Sequence, residues 1–339
     1  MDSLTQIALG SAVGVAVMGR RTAVWKAALW GAVGGTLPDL DAFIDHGDAI
    51  LDMTRHRAES HSLIFLTLGA PLLALAAAGL HREMALFRRW WLALWLVLVT
   101  HPLLDAMTVY GTQLLQPFTD HPFAVGSMFI IDPLYTLPLL VGVVVALLRP
   151  AGRGMRWNRA GLLLSTLYLG WSFAAQQHVT QVARASLHQS GIDAQQLLVT
   201  SAPFSTLLWR VVAITPTHYV EGYRGLLDDG TRILWSSHDR GAALYARHRE
   251  RLPVARVAAF SKGFFSVAAQ DGRLLVTDLR MGMEPAYFFR FDVGPQDAPS
   301  GQTHAATQQG ARPDPSVFLP WLGRRMRGEV LPSPALALR

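Results

Sequence analysis

Long apolar segments fill the first half of the chain. Six of them, separated by short polar connections, run over residues 4–18, 24–43, 62–80, 90–110, 128–148 and 161–175. Most approach the length of about 20 residues that a membrane-spanning helix needs. The pattern predicts a mostly α-helical polytopic membrane bundle with about five to six membrane segments. The first two segments are rich in Gly and Ala, which also allows a tight hairpin or re-entrant pair.

The second half has shorter apolar runs and regular turn sequences such as Asp228-Asp229-Gly230. These runs predict a helix near residues 176–187, followed by strands joined by hairpins. The predicted strands cover residues 206–214, 231–236, 264–268, 274–277 and 287–291. We therefore predict a transmembrane helical domain over residues 1–178 and an α+β or β-rich extramembrane domain over 179–293. Residues 294–339, rich in Gly, Gln, Ala and Pro, are predicted to form a flexible linker and C-terminal tail.

Basic residues follow alternate apolar segments. They are Arg20, Arg21 and Lys26, then Arg82, Arg88 and Arg89, then Arg149, Arg153, Arg156 and Arg159. The positive-inside rule places these connections in the cytoplasm and the remaining ones outside. The chain is therefore predicted to be a multi-pass protein of the bacterial inner (cytoplasmic) membrane with an extracytoplasmic C-terminal domain. A signal peptide is disfavoured, because the first segment opens with Asp2 and its arginines follow the apolar run.

The composition of the chain indicates which classes of binding partner to expect. The net charge of +6 would favour nucleic acid in a soluble protein, but here much of the excess lies in connections where it sets topology and meets anionic lipid. The sequence has no nucleic-acid-binding signature, P-loop or dinucleotide fingerprint. Membrane lipids are therefore the expected partners, and nucleic acid is not. The absence of Cys excludes a thiolate zinc site and fits an extracytoplasmic domain.

Three clusters of acidic and imidazole side chains interrupt the apolar pattern. Their members are Asp39, Asp41, His56, His61, His101 and Asp105. His101 and Asp105 are one turn apart on a predicted helix, so a nitrogen and a carboxylate oxygen could reach one ion. Ionisable groups inside a membrane are costly and usually functional. The three clusters lie on one predicted membrane edge, and we expect them to hold a divalent metal, zinc first and manganese or iron as alternatives.

Each cluster taken alone also has a structural explanation. Asp105 can simply neutralise His101 in a hydrogen-bonded pair that packs the bundle. The segment from His56 to His61 can be a polar surface loop in which Ser60 caps the next helix. Asp39 and Asp41 can mark a solvated helix end. The combination of all three clusters favours the metal site.

These residues carry a resemblance to a known family. The opening MDSLTQIALGSAVG, the Pro38-Asp39-Leu40-Asp41 run, the His56-Arg57-x-x-Ser60-His61-Ser62 element and His101-Pro102-Leu103-Leu104-Asp105 resemble the YdjM-like, or YbcI-like, family of bacterial inner-membrane proteins, described as metal-dependent hydrolases. The resemblance covers about the first half of the chain and includes a segment similar in style from Pro117 to Leu140. That family is in turn distantly similar to zinc-dependent phospholipase C and related zinc nucleases.

The resemblance implies metal ligation by His56, His61, His101 and Asp105, with Asp39 and Asp41 as carboxylate partners. Many relatives have Thr-His near the start, where this chain has Thr5-Gln6. An imidazole ligand at that position is therefore missing here.

The predicted function is hydrolysis of an ester or phosphoester, in a lipid or lipid-linked substrate, by a metal-activated water. Arg57 would hold a phosphate oxygen, and Glu59 or Asp120 would act as general base or acid. Two other classes stay open. A non-catalytic membrane scaffold would use the polar clusters only for packing, and an ion-coupled transporter would place them near the middle of the bilayer, often within an internal repeat.

Overall fold

The apolar segments of the first half fold as α-helices. These are α1 (Ser3–Met18), α2 (Val24–Thr36), α3 (Ala49–Arg55), α4 (Leu63–Leu80), α5 (Phe87–Asp105), α6 (Pro133–Leu148) and α7 (Gly152–Gln189). Short 3-10 helices cover Pro38–Phe43, Glu59–His61 and Met84–Leu86. The side chains of Asp2, Ser62 and Asp132 accept hydrogen bonds from the first turns of α1, α4 and α6, which fixes where these helices begin.

The computed structural model describes residues 1–149, 152–298 and 304–333. The chain divides into two compact units. Unit 1 contains residues 1–44, 55–173 and 203–205, and unit 2 contains residues 45–54, 174–202 and the chain from residue 206 onward. Part of the predicted linker and tail, residues 299–303 and 334–339, lies outside the described residues.

Among the described residues one helix, α4, is long and apolar enough to cross a membrane. The prediction of a polytopic bundle with five to six membrane segments is therefore wrong. Helices α1 and α6 are apolar but have 16 residues each, and at 1.5 Å per residue they span about 24 Å of a hydrocarbon core of about 30 Å. Helix α5 has 19 residues but carries Arg88 and Arg89 in its first turn and His101 and Asp105 near its end.

The predicted multi-pass topology depended on these membrane segments and has no support without them. Alternate connections face opposite sides only if every segment between them crosses the membrane. With a single candidate span, the fold gives no support for an extracytoplasmic C-terminal domain, which stays a prediction.

Glycines allow α1 and α2 to pack with their backbones in contact. A Cβ at Gly31 would overlap the carbonyl oxygen of Gly10, and a Cβ at Gly14 would lie 2.5 Å from the carbonyl oxygen of Ala27. This is the small-residue packing that is common between apolar helices. The paired helices then form one core with α5 and α6, in which Trp90 and Leu139 are fully buried.

Unit 1 has two chemically different ends. The start of α1 and the ends of α2 and α5 meet at one of them, since Gln6 bonds Asp105 and His101 bonds the carbonyl of Gly35. At the opposite end Arg89 donates to the carbonyl of Val17 over 3.0 Å. We call this opposite end the basic end, because it carries Arg20, Arg21, Lys26, Arg82, Arg88 and Arg89.

Unit 2 combines the C-terminal part of α7 with antiparallel sheets. One sheet has the order β1 (Gln196–Ser201), β2 (Leu208–Ile214), β3 (His218–Gly225), β4 (Ser236–Asp239). The other sheet contains β5 (Phe265–Gln270), β6 (Arg273–Asp278), β9 (Arg290–Pro295) and β10 (Thr307–Gln308), in the order β10-β9-β6-β5. The remaining elements are α8 (Ala242–His248), α9 (Leu252–Phe260), the hairpin of β7 (Gly282–Met283) and β8 (Ala286–Tyr287), and α10 (Pro315–Met326).

The region predicted as a flexible linker and tail is folded where the structure describes it. Strand β10 pairs with β9, and α10 buries Phe318 and Trp321 beside Tyr223. Arg325 also donates to Asp228 over 2.7 Å. The composition of this region is polar, but α10 buries two aromatic side chains and pairs Arg325 with Asp228.

One short segment of the first half of the chain belongs to unit 2. Residues 45–54, which include α3, belong to unit 2, although the chain on both sides of them belongs to unit 1. Within unit 2, the carboxylate of Asp48 accepts a 2.6 Å hydrogen bond from the backbone N–H of Ala306, and Ala49 donates to the carbonyl of Ala306. The chain returns to unit 1 at Arg55, next to His56.

Candidate metal site

Four side chains from three elements converge in unit 1. Asp39 lies in the first 3-10 helix, His61 ends the second, and His101 and Asp105 lie in the last turns of α5. The Nε2 atoms of the two histidines are 3.1 Å apart, and Asp39 Oδ1 lies 3.4 Å from each. Asp105 Oδ2 lies 3.2 Å from His61 Nε2 and 3.5 Å from His101 Nε2.

These separations fit one bound ion. Zinc ligands at about 2.0–2.1 Å in a tetrahedron would be about 3.3 Å from one another, and the measured separations run from 3.1 to 3.5 Å. Asp105 Oδ2 is fully buried and forms no hydrogen bond of good geometry with the described residues, although Arg57 Nε and His61 Nε2 each lie 3.2 Å from it. A buried carboxylate oxygen is costly unless positive charge meets it, so a bound ion would add to the charge that Arg57 supplies there.

Hydrogen bonds behind the two histidines orient them toward the cluster. His101 Nδ1 lies 2.7 Å from the carbonyl oxygen of Gly35. Because a carbonyl oxygen only accepts, Nδ1 carries a proton, and Nε2 is the ring nitrogen that faces the other three ligand atoms. His61 Nδ1 lies 2.8 Å from Ser60 Oγ and 3.5 Å from Asp41 Oδ2. Partners of this kind fix the ring of a metal-binding histidine.

Asp105 has further charged and polar partners. Arg57 Nε lies 3.2 Å from its Oδ2, and Gln6 Nε2 donates to its Oδ1 over 3.1 Å. The α-amino group of Met1 also pairs with Oδ1. Asp105 is thus fixed from several sides, and Arg57 supplies a buried positive charge that offsets part of the negative charge of the carboxylates.

The carboxylates and imidazoles shift each other's pKa. Burial alone would raise the pKa of Asp39, but hydrogen bonds from His101 and His61 hold it well below its usual range. Burial alone would lower the pKa of His61, but its hydrogen bonds to Asp105, Asp39 and Asp41 raise it to about 9. Without a metal, a proton on His61 therefore balances the carboxylates.

Two predicted ligands, Asp41 and His56, lie behind the four converging residues. Asp41 Oδ1 lies 2.8 Å from His56 Nδ1, and Asp41 Oδ2 accepts from the backbone N–H of Arg57 over 2.9 Å. Asp41 also accepts from Ser60, whose hydroxyl contacts His61. Burial would raise the pKa of Asp41, but the bonds from His56 and His61 keep it below its usual range. These residues form an outer layer that supports His61.

The residues predicted as catalytic lie in different environments. Arg57 is buried in a left-handed backbone conformation, with its Nη1 donating to Thr108 and its guanidinium 5.1 Å from the ring centre of Tyr110. Glu59 and Asp120 are exposed, and no contact among the described residues joins either of them to the four ligands. The structure therefore brings Arg57 to the cluster and leaves the two carboxylates on the surface.

Two further groups contact the cluster. Gln6, which the sequence marked only as the place of a missing imidazole, enters from α1, and the backbone carbonyl of Gly35, which was not predicted, enters from α2. The polar Gln6 in an otherwise apolar helix was a usable signal. The carbonyl of Gly35 could not be identified from the sequence, because every residue has a backbone carbonyl.

Comparisons with known proteins assign the chain to a family. A similar protein is the "Uncharacterized protein YfhP" of Bacillus subtilis (strain 168), which is 25% identical over 251 residues, covering 69% of this chain and 72% of that protein. No solved structure matches the chain. The model of the family described as "YdjM inner membrane protein" matches residues 1–179. This is more than half of the chain and includes all four converging residues. The chain belongs to the YdjM family of inner membrane proteins.

Proposed function

We propose that the protein is an inner-membrane, metal-dependent hydrolase. The observation that carries the proposal is the convergence of Asp39, His61, His101 and Asp105, whose ligand atoms all lie within 4.8 Å of one another. These four residues would hold a divalent ion. Two imidazole and two carboxylate ligands suit zinc first, with manganese or iron as alternatives.

The chain leaves one side of the cluster accessible. The side chain of Asp39 is 22% exposed, whereas those of His61 and Asp105 are fully buried. His61, His101 and Asp105 form the buried wall, so a substrate would approach beside Asp39. A bound divalent ion would supply an activated water and polarise an ester or phosphoester oxygen.

Exposed apolar side chains support a lipid or lipid-linked substrate. Leu40 and Phe43 lie on the same 3-10 helix as Asp39 and are 53% and 86% exposed. Apolar side chains on the element that carries the accessible ligand would contact acyl chains more favourably than water. In this proposal Arg57 orients Asp105 and contributes positive charge toward a phosphate, while Glu59 or Asp120 as general acid or base stays a prediction.

A second candidate function is a scaffold with a structural metal. Four protein ligands can close a tetrahedral site, and closed sites are typically structural. This alternative predicts metal binding without hydrolysis.

The proposal is tested by comparing the purified full-length protein with its Asp39→Asn and Asp120→Asn variants. Metal content would be measured by inductively coupled plasma mass spectrometry, and hydrolysis would be assayed on phosphodiester, carboxylic ester and phospholipid substrates. We expect one divalent ion per wild-type chain, hydrolysis that stops with chelator, and losses of more than about tenfold in metal affinity for Asp39→Asn. Asp120→Asn is the matched control and should keep its metal.

The outcomes separate the two candidates. A stoichiometric metal with no hydrolysis of any of the three substrate classes supports the scaffold. A folded wild-type protein that takes up no metal during reconstitution contradicts both candidates.

A further inference from the structure

A groove lies on α4 and α5, away from the metal site. It has a volume of about 700 Å³ and is lined by Thr67, Arg88, Trp91, Leu92 and Trp95. Arg88 precedes His101 by 13 residues on the same helix, which corresponds to about 20 Å along its axis. The groove is therefore a separate site that does not depend on the proposed metal chemistry.

The walls of the groove are apolar. Arg88, Trp91, Leu92 and Trp95 are spaced at i, i+3, i+4 and i+7, so they form one stripe along α5. Trp91 and Leu92 are 43% and 48% exposed. The indole N–H of Trp95 already donates to Thr67 Oγ1 over 3.0 Å. The surface that a ligand would meet there is mainly hydrocarbon and aromatic ring.

One cation stands at the end of this stripe. Arg88 is exposed, and no carboxylate among the described residues lies within ion-pair distance of it. Its neighbours at the basic end differ, because Lys26 pairs with Glu83 over 2.7 Å and Arg89 donates to Val17. Arg88 is therefore available for an external anion.

The groove opens beside the candidate membrane span. Helix α4 is the helix that could cross a bilayer, and its Leu68 and Leu72 are 67% and 72% exposed. Basic residues at the end of a span favour the cytoplasmic side, whose leaflet attracts arginine through anionic lipids. Tryptophan is enriched at the same depth.

We propose that this groove binds an anionic phospholipid. Arg88 would bind the phosphate, and one acyl chain would lie along Trp91, Leu92 and Trp95. A free phosphate ion would use only Arg88 and leave three apolar lining residues without a partner. The combination of one cation with an apolar stripe beside a candidate span matches both parts of a phospholipid.

Native mass spectrometry of the full-length protein in detergent tests this proposal. The probes are phosphatidylglycerol and phosphatidylcholine with identical acyl chains. We expect tighter binding of phosphatidylglycerol, and we expect Arg88→Gln to weaken it about fivefold, the value of one arginine near an anionic lipid surface. Trp91→Ser should weaken both lipids, because it removes part of the wall that the acyl chain contacts.

Arg21→Gln is the matched control, since Arg21 is exposed at the basic end but does not line the groove. It should change neither affinity. Equal losses for Arg21→Gln and Arg88→Gln would mean diffuse attraction and overturn the proposal. Equal affinities of the wild type for the two lipids would also overturn it, as would full competition by millimolar inorganic phosphate. Circular dichroism would confirm that each variant is folded.

Discussion

A metal bound at the candidate site would require His61 to lose its proton. In the metal-free protein its pKa is raised to about 9, whereas a metal ligand must be the neutral imidazole. We therefore expect binding at pH 7 to release about one proton, and the apparent affinity to rise with pH until it levels off above about pH 9. Calorimetric titration in two buffers with different heats of ionisation measures this release. A release of zero at pH 7 would contradict the assigned ligand.

The same pKa sets the pH dependence of stability without metal. The folded pKa of His61 lies above the ordinary value of 6.5. Its stabilising effect is therefore complete below about pH 6.5 and is lost as the pH rises through about 9. We expect the melting temperature of the metal-free protein to fall over this range, while that of the metal-loaded protein does not. Parallel melts of both forms, by circular dichroism in one detergent, give the comparison.

At the same scale, the sequence indicated which side chains could bind a metal, but not how they are arranged. Asp39, His61, His101 and Asp105 stood out as polar residues between apolar segments. Their spacing could not separate them from the outer pair of Asp41 and His56, because the difference depends on which side-chain atoms face each other in three dimensions.

At the scale of elements, the contact between α1 and α2 depends on glycine. Gly31→Ala would place a Cβ against the backbone of Gly10, with Ser11 Cα only 2.8 Å away. Because backbone atoms cannot rotate aside, we expect a loss of about 1–3 kcal/mol in the free energy of unfolding. Gly69→Ala in α4 is the matched control, since its Cβ would meet nothing within 4 Å. It should be neutral or stabilising by up to about 1 kcal/mol. The melting temperatures of the two variants, measured in the same detergent, test this prediction. Equal melting temperatures would contradict the close packing of α1 against α2.

The helices also show why the predicted spans failed. The hydropathy pattern identified apolar segments that do form helices. It did not indicate that α2 ends after 13 residues, before Pro38. It also counted Gly-rich and Ala-rich helices as facing lipid, although α1 buries most of its side chains against other helices. Apolar composition is the same in both settings, so packing decides between them.

For the molecule as a whole, the four candidate ligand residues all come from unit 1. A chain truncated after residue 179 should therefore still bind one ion. We expect its affinity to be lower by about tenfold, because the segment 45–54 would lose its partner at Ala306 and loosen the outer layer formed by Asp41 and His56. Metal titration of the truncated and full-length chains measures the difference. A truncated chain that is helical by circular dichroism but binds no ion would show that unit 2 is essential to the site.

The segment 45–54, which belongs to unit 2, is also expected to affect when the candidate site matures during synthesis. Asp48 and its partner Ala306 are 258 residues apart, and ribosomes add about 5–20 residues per second. The segment before His56 therefore waits tens of seconds, roughly, for the strand region that will hold it. The four residues of the candidate site can meet once α5 has emerged, whereas the segment between Asp41 and His56 gains its partner at Ala306 only when nearly the whole protein has been made. We therefore expect the candidate site to assemble early and to tighten late, so that a nascent protein holds an ion less firmly than a finished one.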